Sequence, residues 1–379
     1  MRKLLYKLIL GVNVLLVIFL LLAYLSQMVS PQRIWHFAFF GLSYPYILIA
    51  NIAMMIFWIV NRKKEFLISF LFIVIGWNIM GSIVQVNFKF LKSNNIKEQF
   101  TRNIRQEENI LKVLTYNVRA FNLYNWAKNT EAKDSIFKYI LHEDPDILCF
   151  QEYFTQERGI FTTDDLYKLL NKTPYRHIHY TIGENSNFRY GIATFSSYPI
   201  INKGVIRFEN TLNTTIFSDI VIDEDTIRIY NNHLQSIHFN KRHYAIFDSL
   251  KLPTDDGQFQ ELIDISDRIR DASIKRSEQS DVIAEHITKS PYRVIICGDF
   301  NDTPCSYTYN KVKGDLVDSF VEAGTGLGNT YFGSLPSFRI DYILHSNLIR
   351  SIYNERAKIR LSDHYPVLSY LQFNQTEVY

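Results

Sequence analysis

Acidic side chains are almost missing from the first quarter of this 379-residue chain. Residues 1–103 hold Glu65 and Glu98 and no aspartate, against eleven lysines and arginines, a balance of +9. The whole chain has 41 Lys+Arg and 38 Asp+Glu, so residues 104–379 carry 30 against 36, a balance of −6. The overall +3 therefore averages a basic, apolar front with a mildly acidic body. A net-negative body is the wrong footprint for a tight, sequence-blind nucleic-acid binder, although a local basic groove survives a negative total. Cysteine is scarce too. Cys149, Cys297 and Cys305 are an odd number without paired spacing, which excludes a disulfide framework and a thiolate zinc site. Cys149 and Cys297 stand in apolar, strand-like runs as small core residues. No internal repeat or low-complexity tract is present.

Long apolar runs, by contrast, dominate the front. Leu4–Leu25, Ile34–Val60 and Phe66–Phe88 each exceed the roughly 20 residues that cross a bilayer core. They predict three transmembrane helices, with residues 4–88 in contact with lipid. Gln27-Met28-Val29-Ser30 is a poor cleavage site, which argues against a signal peptide. Arg2, Lys3 and Lys7 flank the first run, and Arg62-Lys63-Lys64 separates the second from the third. The positive-inside rule then holds the N-terminus and second loop in the cytoplasm and places the rest of the chain outside it. The expected organisation is a membrane domain at 1–92, a polar linker at 93–109 and a folded α/β domain at 110–379, in an integral plasma-membrane protein.

The body alternates strands and helices. Val294-Ile295-Ile296-Cys297-Gly298 reads as a buried strand that releases Asp299 and Asn301 at its end. Residues i and i+2 point the same way, so both can address one ligand. Leu111–Val118 is a strand that delivers Asn117, and Ile147–Phe150 is a strand ending at Gln151-Glu152. Thr214–Ile222 and Thr226–Tyr230 read as a hairpin running on to His233. Asp341 stands among apolar neighbours in Phe338–His345, a costly position for a charge unless it is paired or bound to a cation. Asp363 and His364 precede the closing strand Leu368–Phe373. Ala132–His142 has helical spacing, and Phe239–Ile287 reads as one or two helices with a loop at Leu252–Phe259. Carboxylates at several strand ends, without cysteine, suit an oxygen-seeking cation such as Mg²⁺ or Mn²⁺. The two histidines supply proton transfer near neutral pH.

The wording and order of LTYNVR, FQEY, NNHLQS, GDFNDTP, RIDYIL and LSDHYPV resemble the endonuclease/exonuclease/phosphatase superfamily, the fold of pancreatic-type deoxyribonuclease, over about Ile110 to Phe373. The resemblance implies an α/β fold, two β-sheets in a sandwich flanked by helices, here on a membrane-anchored, bacterial-type member. It implies Glu152 as principal metal ligand with Asn117 beside it and Asp363 in support. It also implies His364 oriented by Asp341, Asp299 and Asn301 positioning the nucleophile and a phosphate oxygen, and His233 on the phosphate or leaving oxygen. The reaction it implies is attack of water on a phosphate ester, with Mg²⁺ or Mn²⁺ as cofactor. Arg189 and Tyr190 are candidates for the substrate's entrance. Loops Glu184–Arg189, Phe239–Asp264 and Gly324–Pro336 carry no subgroup pattern that chooses the substrate. Tethering favours a lipid head group or envelope phosphodiester; an extracytoplasmic nuclease acting on DNA or RNA is the rival. A catalytically silent, membrane-anchored binding module is the third reading, and no protein partner is inferred.

Overall fold

The computed structural model describes residues 2–86, 109–123, 131–159, 161–237, 239, 256–333 and 337–373. Of the expected linker, 93–109, only Asn109 is among them, and 240–255 of the predicted helical stretch also lie outside them. Two compact units emerge, and they interleave along the chain. One joins residues 1–83, 236–282 and 302–312; the other joins 84–235, 283–301 and 313–379.

The first unit begins with α1 (Arg2–Leu25), α2 (His36–Leu42), α3 (Tyr44–Val60) and α4 (Phe66–Ile75). Of the three predicted membrane spans, one unbroken helix is long and apolar enough, within Lys3–Leu25. The second run breaks into α2 and α3, bent by 63°. Pro45 sits in the first turn of α3, where its missing N–H is harmless, so a new helix starts there and the old one does not continue. The main helix of the third run stops after ten residues at Gly76, and a separate five-residue helix, Trp77–Gly81, follows. At 1.5 Å per residue the longer piece covers about half of a bilayer core. Among the described residues, the three expected transmembrane helices are thus corrected to one helix long and apolar enough to span, or two if the bent pair counts as a single span.

Polarity in these helices is turned inside out. Asn13, Asn51, Ser69 and Trp58 are buried. Asn13 Nδ2 donates to Ser69 Oγ at 2.7 Å, Trp58 Nε1 donates to Asn13 Oδ1 at 2.6 Å, and Ser69 Oγ donates to Asn51 Oδ1 at 3.1 Å. Leu8, Leu15, Ile49, Ile56, Leu71 and Ile75 are exposed. The 33-residue helix Asp256–Thr288 is continuous through the predicted loop at Leu252–Phe259 as far as it is described.

The second unit is a sandwich of two six-stranded sheets. One is built from β2 (Ile110–Asn117), β3 (Ile147–Gln156), β4 (Tyr175–Ile182), β5 (Phe188–Ser196), β13 (Ile349–Arg356) and β14 (Val367–Phe373), in the order β13-β14-β2-β3-β5-β4. The other takes β6 (Ile200–Arg207), β7 (Thr214–Ile222), β8 (Asp225–His233), β9 (Arg293–Asp299), β10 (Val317–Asp318) and β12 (Asp341–His345), in the order β10-β12-β9-β8-β7-β6. A short pair, β1 (Val84–Gln85) with β11 (Gly326–Leu327), stands apart. Period-2 alternation explains the layers. Leu111, Val113, Ile147 and Cys149 face Ile229, Ile295, Cys297 and Ile343 between the sheets. Leu114, Tyr116, Leu148 and Phe150 turn the other way, toward Ile136, Phe137 and Ile140 of the helix Ala132–Glu143. Each sheet holds one parallel pair, β2 with β3 and β8 with β9. The carboxyl ends of those pairs are where the polar residues gather.

Candidate functional site

The register of the strands assembles the site. In the β8–β9 pair His233 lies beside Asp299, and in the antiparallel β9–β12 pair Asp299 lies directly opposite Asp341. Both aspartates are buried. Facing like charges destabilise a sheet unless a cation stands between them. Here His364 does so: its Nδ1 is 2.9 Å from Asp341 Oδ2, and its Nε2 is 3.7 Å from Asp299 Oδ2. Burial alone would strip the imidazole of its proton. Asp341 and Asp299 outweigh it, and the proton affinity rises to about 10, so His364 is charged at neutral pH. Burial, then the Asp341 charge, raises Asp299.

On the other sheet, Asn117 ends β2 and Glu152 lies inside β3, where the pairing with β5 slips between Phe150 and Tyr153. Glu152 has φ +48°. The bulge turns its side chain out of the alternation and toward the cluster. The predicted strand therefore does not end at Glu152 but runs through it to Gln156. Asn117 Nδ2 donates to Glu152 Oε1 at 3.2 Å and to Asp299 Oδ2 at 3.0 Å, while its Oδ1 accepts the backbone N–H of Arg119 at 3.1 Å. Asn117 is thus the clasp between two carboxylates on two sheets. His233 Nε2 is 3.9 Å from Glu152 Oε1. Burial and the Asp363 charge both raise the proton affinity of Glu152. Asn301, at φ +52°, donates its N–H to Asp299 Oδ1 at 2.8 Å and its Nδ2 to Leu234 O at 2.9 Å.

Gly298 is required by close approach. Its φ is +126°, and an added Cβ would lie 2.1 Å from the Asn232 carbonyl oxygen. Beneath the cluster, Gln151 Nε2 donates to Asn231 Oδ1 at 2.7 Å and to Thr115 Oγ1 at 3.0 Å. Asn231 Nδ2 donates to Ala193 O at 2.9 Å. This buried amide floor ties the two sheets together, and its partners satisfy it. In the sequence, Gln151 stands at a strand end and Asn231 within NNHLQS, with no role legible for either.

Two further residues matter differently. Asp363, expected to support a metal, is ion-paired by Arg119 Nη1 at 2.7 Å. Arg119 escaped the sequence reading, because a single cation after a strand leaves no periodic signal. It opens a left-handed turn, Arg119–Asn122, with φ values of 44°, 51°, 52° and 55°. Phe121 pins that turn inside an aromatic cluster with Phe137, Phe150 and Phe161. Arg189 and Tyr190, expected at the substrate's entrance, lie opposite Thr155 and Phe154 on β3. The Arg189 guanidinium is ion-paired to Glu157 at 2.8 Å, and the Tyr190 ring packs on Phe154 at 4.8 Å.

Asp299, Asp341 and His364 bring one ligand atom each within 4.8 Å of one another. With Glu152 adjacent through Asn117, the cluster sets three carboxylates against the His364 imidazolium, and its oxygen-rich donors fit a hard divalent cation.

A model of the endonuclease/exonuclease/phosphatase family matches residues 114–364. The chain belongs to that family. Its members typically hydrolyse phosphate esters and generally use a divalent metal. Residues 6–83 match a second model, described as a domain of unknown function (DUF8431). No curated protein sequence matches the chain. Among solved structures, an endonuclease/exonuclease/phosphatase from Beutenbergia cavernae superposes with a TM-score of 0.52 at 15% identity, covering 72% of this chain and 74% of that one. A family protein from Leptotrichia buccalis gives 0.49 at 18% identity over 69% of this chain and all of its own. The human Nocturnin catalytic domain with bound sulfate gives 0.48 at 18% identity over 71% and 96%. The first supports the family fold, and none carries a substrate to this chain.

Proposed function

We propose that this protein is a membrane-anchored, divalent-cation-dependent hydrolase of phosphate esters. The observation that carries the reading is the facing pair Asp299 and Asp341 with His364 between them, joined through Asn117 to Glu152. Glu152 and Asp299, bridged by Asn117, are the groups that would hold Mg²⁺ or Mn²⁺. When bound, such a cation lowers the pKa of water and neutralises charge on a phosphoryl group.

The chain's own residues supply the rest. Asp341 accepts from Nδ1 of His364 and orients the ring, so the second ring proton, at Nε2, stands beside Asp299. Asn301 is anchored through its N–H to Asp299 and through its amide to Leu234 O, which fixes its orientation beside the carboxylates. His233, with Nε2 3.9 Å from Glu152 Oε1, would protonate a leaving oxygen in this reading. Arg119 adds a cation next to Asp363 for an anionic substrate.

Membrane anchoring is supported by the inverted helices, apolar outside and hydrogen-bonded inside. A tethered site favours phosphodiesters at the bilayer surface. The test is hydrolysis of bis(p-nitrophenyl) phosphate, plasmid DNA, RNA, sphingomyelin and inositol phosphates by the full chain, in Mg²⁺ and in EDTA. The reading expects turnover of a phosphate ester that EDTA abolishes; EDTA-resistant turnover, or none on any ester, counts against it.

A further inference from the structure

Three segments of the sandwich meet at one buried residue, Leu234, which directly follows β8. Its N–H donates to the Asp299 carbonyl at 3.0 Å, so the end of β8 is tied to the end of β9. Its carbonyl oxygen takes two donors, Asn301 Nδ2 at 2.9 Å and Asn213 Nδ2 at 2.8 Å. A carbonyl has two lone pairs, and here side-chain amides from two different loops occupy both. Asn213 is buried and closes the loop between β6 and β7. The register explains its reach: Thr214 pairs with His233, which sets Asn213 level with Leu234. Thr211 builds the turn that presents it. Thr211 Oγ1 accepts the Asn213 N–H at 3.1 Å, and lies 3.0 Å from Asn213 Oδ1 and 2.8 Å from Gln235 Oε1. All of these residues belong to the sandwich unit.

We infer that Asn213 is a positioning residue for Asn301, acting through the Leu234 carbonyl. Asn301 stands at φ +52° just after β9 has ended, so no ladder of strand hydrogen bonds directs its side chain. Asp299 holds it locally, through the Asn301 N–H at 2.8 Å and a longer contact to Nδ2 at 3.3 Å. Only the bond to Leu234 ties the Asn301 amide to a different strand. The direction of that amide therefore follows the Leu234–Gln235 peptide plane, and Asn213 is the second group that fixes the plane. Without the Asn213 donor the plane is free to tilt, and the Asn301 amide tilts with it. Asn213 touches no reacting atom in the proposed reaction; it sets the angle at which Asn301 meets the carboxylates.

Turnover in this inference rests on the proposed phosphate-ester reading, so its test also has a readout that does not. Hydrogen exchange at Leu234 and Asn301 is followed in the full chain, alongside kcat and KM on bis(p-nitrophenyl) phosphate with Mg²⁺. Asn213→Ala removes the donor. Thr211→Val, at a half-exposed position, removes the hydroxyl that presents it and is the milder change. Leu212→Ala, an exposed neighbour in the same loop, is the control. Asn213→Ala and Thr211→Val are expected to speed exchange at both residues. Asn213→Ala should lower kcat about tenfold with KM little changed, since small misplacements of a working group cost that much. The Asn213→Ala/Asn301→Ala double variant should lose no more than Asn301→Ala alone, because residues acting as a unit are not additive. Leu212→Ala should match the wild type in exchange and in turnover. Exchange unchanged in folded Asn213→Ala and in Thr211→Val overturns the inference, whatever turnover shows. Losses that add in the double variant, or an equal effect in Leu212→Ala, overturn it too, since either would make the loop a source of stability alone. A wild type inactive on every ester while the exchange difference persists contradicts the hydrolase reading alone.

Discussion

Asp341 is the residue whose chemistry is most legible in the sequence, because a carboxylate among Ile340, Tyr342 and Ile343 needs a partner. Its partner is His364, and removing either end of the pair should be equivalent. His364→Ala is expected to lower turnover per folded molecule by about 10²–10⁴. Asp341→Asn should match it, and the double variant should lose little more than either. A melting curve alongside the kinetics separates this from lost stability; full turnover in folded His364→Ala would sink the pair's role. Glu152 was legible as a carboxylate at a strand end, yet the strand continues, because nothing in the side-chain alternation announces a bulge. Arg119 was illegible for a related reason: its role comes from a left-handed turn, not from spacing. Away from the site, His177 is buried against Ser218, with Nδ1 and Oγ 3.0 Å apart. Burial first, then Lys203 and His179, push its proton affinity down to about 4. The unfolded chain takes up that proton near pH 6.5 while the folded one resists it, so stability falls as pH drops from 6.5 through 4. The loss is roughly 3 kcal/mol over that window and levels off below it. His177→Gln should flatten this part of the stability profile; an unchanged acid slope in the variant would remove His177 as its source.

At the scale of elements, strands with strongly apolar runs could be read from sequence, and those with mixed faces could not. β9 and the β7–β8 hairpin stand where their patterns put them. β4 and β6 alternate polar with apolar residues at the edges of their sheets and left no clear run. Hydropathy likewise overstated the second and third membrane spans, since composition averages over Pro45 and Gly76, where the helices turn or stop. The left-handed turn at Arg119–Asn122 is the element with the clearest internal conflict. Each L-residue there costs about 1–2 kcal/mol relative to a right-handed turn. Ala120 is buried, so Ala120→Gly forfeits one methyl, about 0.8 kcal/mol, and relieves more strain than that. The variant is expected to melt at or slightly above the wild-type temperature. A clear drop in melting temperature would mean that Ala120 is not strained.

Taken whole, the chain places its chemistry where two sheets end and returns to the helices immediately after Asn301. The sandwich and the carboxylate–histidine cluster were readable from motifs, because each motif sits on one strand end. The interleaving of the units was not, because residues 302–312 carry no hydropathy signal and Cys305 looks like any small residue. The central claim, that a divalent cation held beside Glu152 drives phosphate-ester hydrolysis at this cluster, has one most direct test. It is the Mn²⁺ dependence of bis(p-nitrophenyl) phosphate turnover in wild type and Glu152→Gln. Removing the ligand charge while keeping its size should move the half-saturating Mn²⁺ concentration upward by about tenfold or more, with turnover partly restored at high metal. A Glu152→Gln curve that overlays the wild type, or turnover that needs no metal in either protein, would contradict the account.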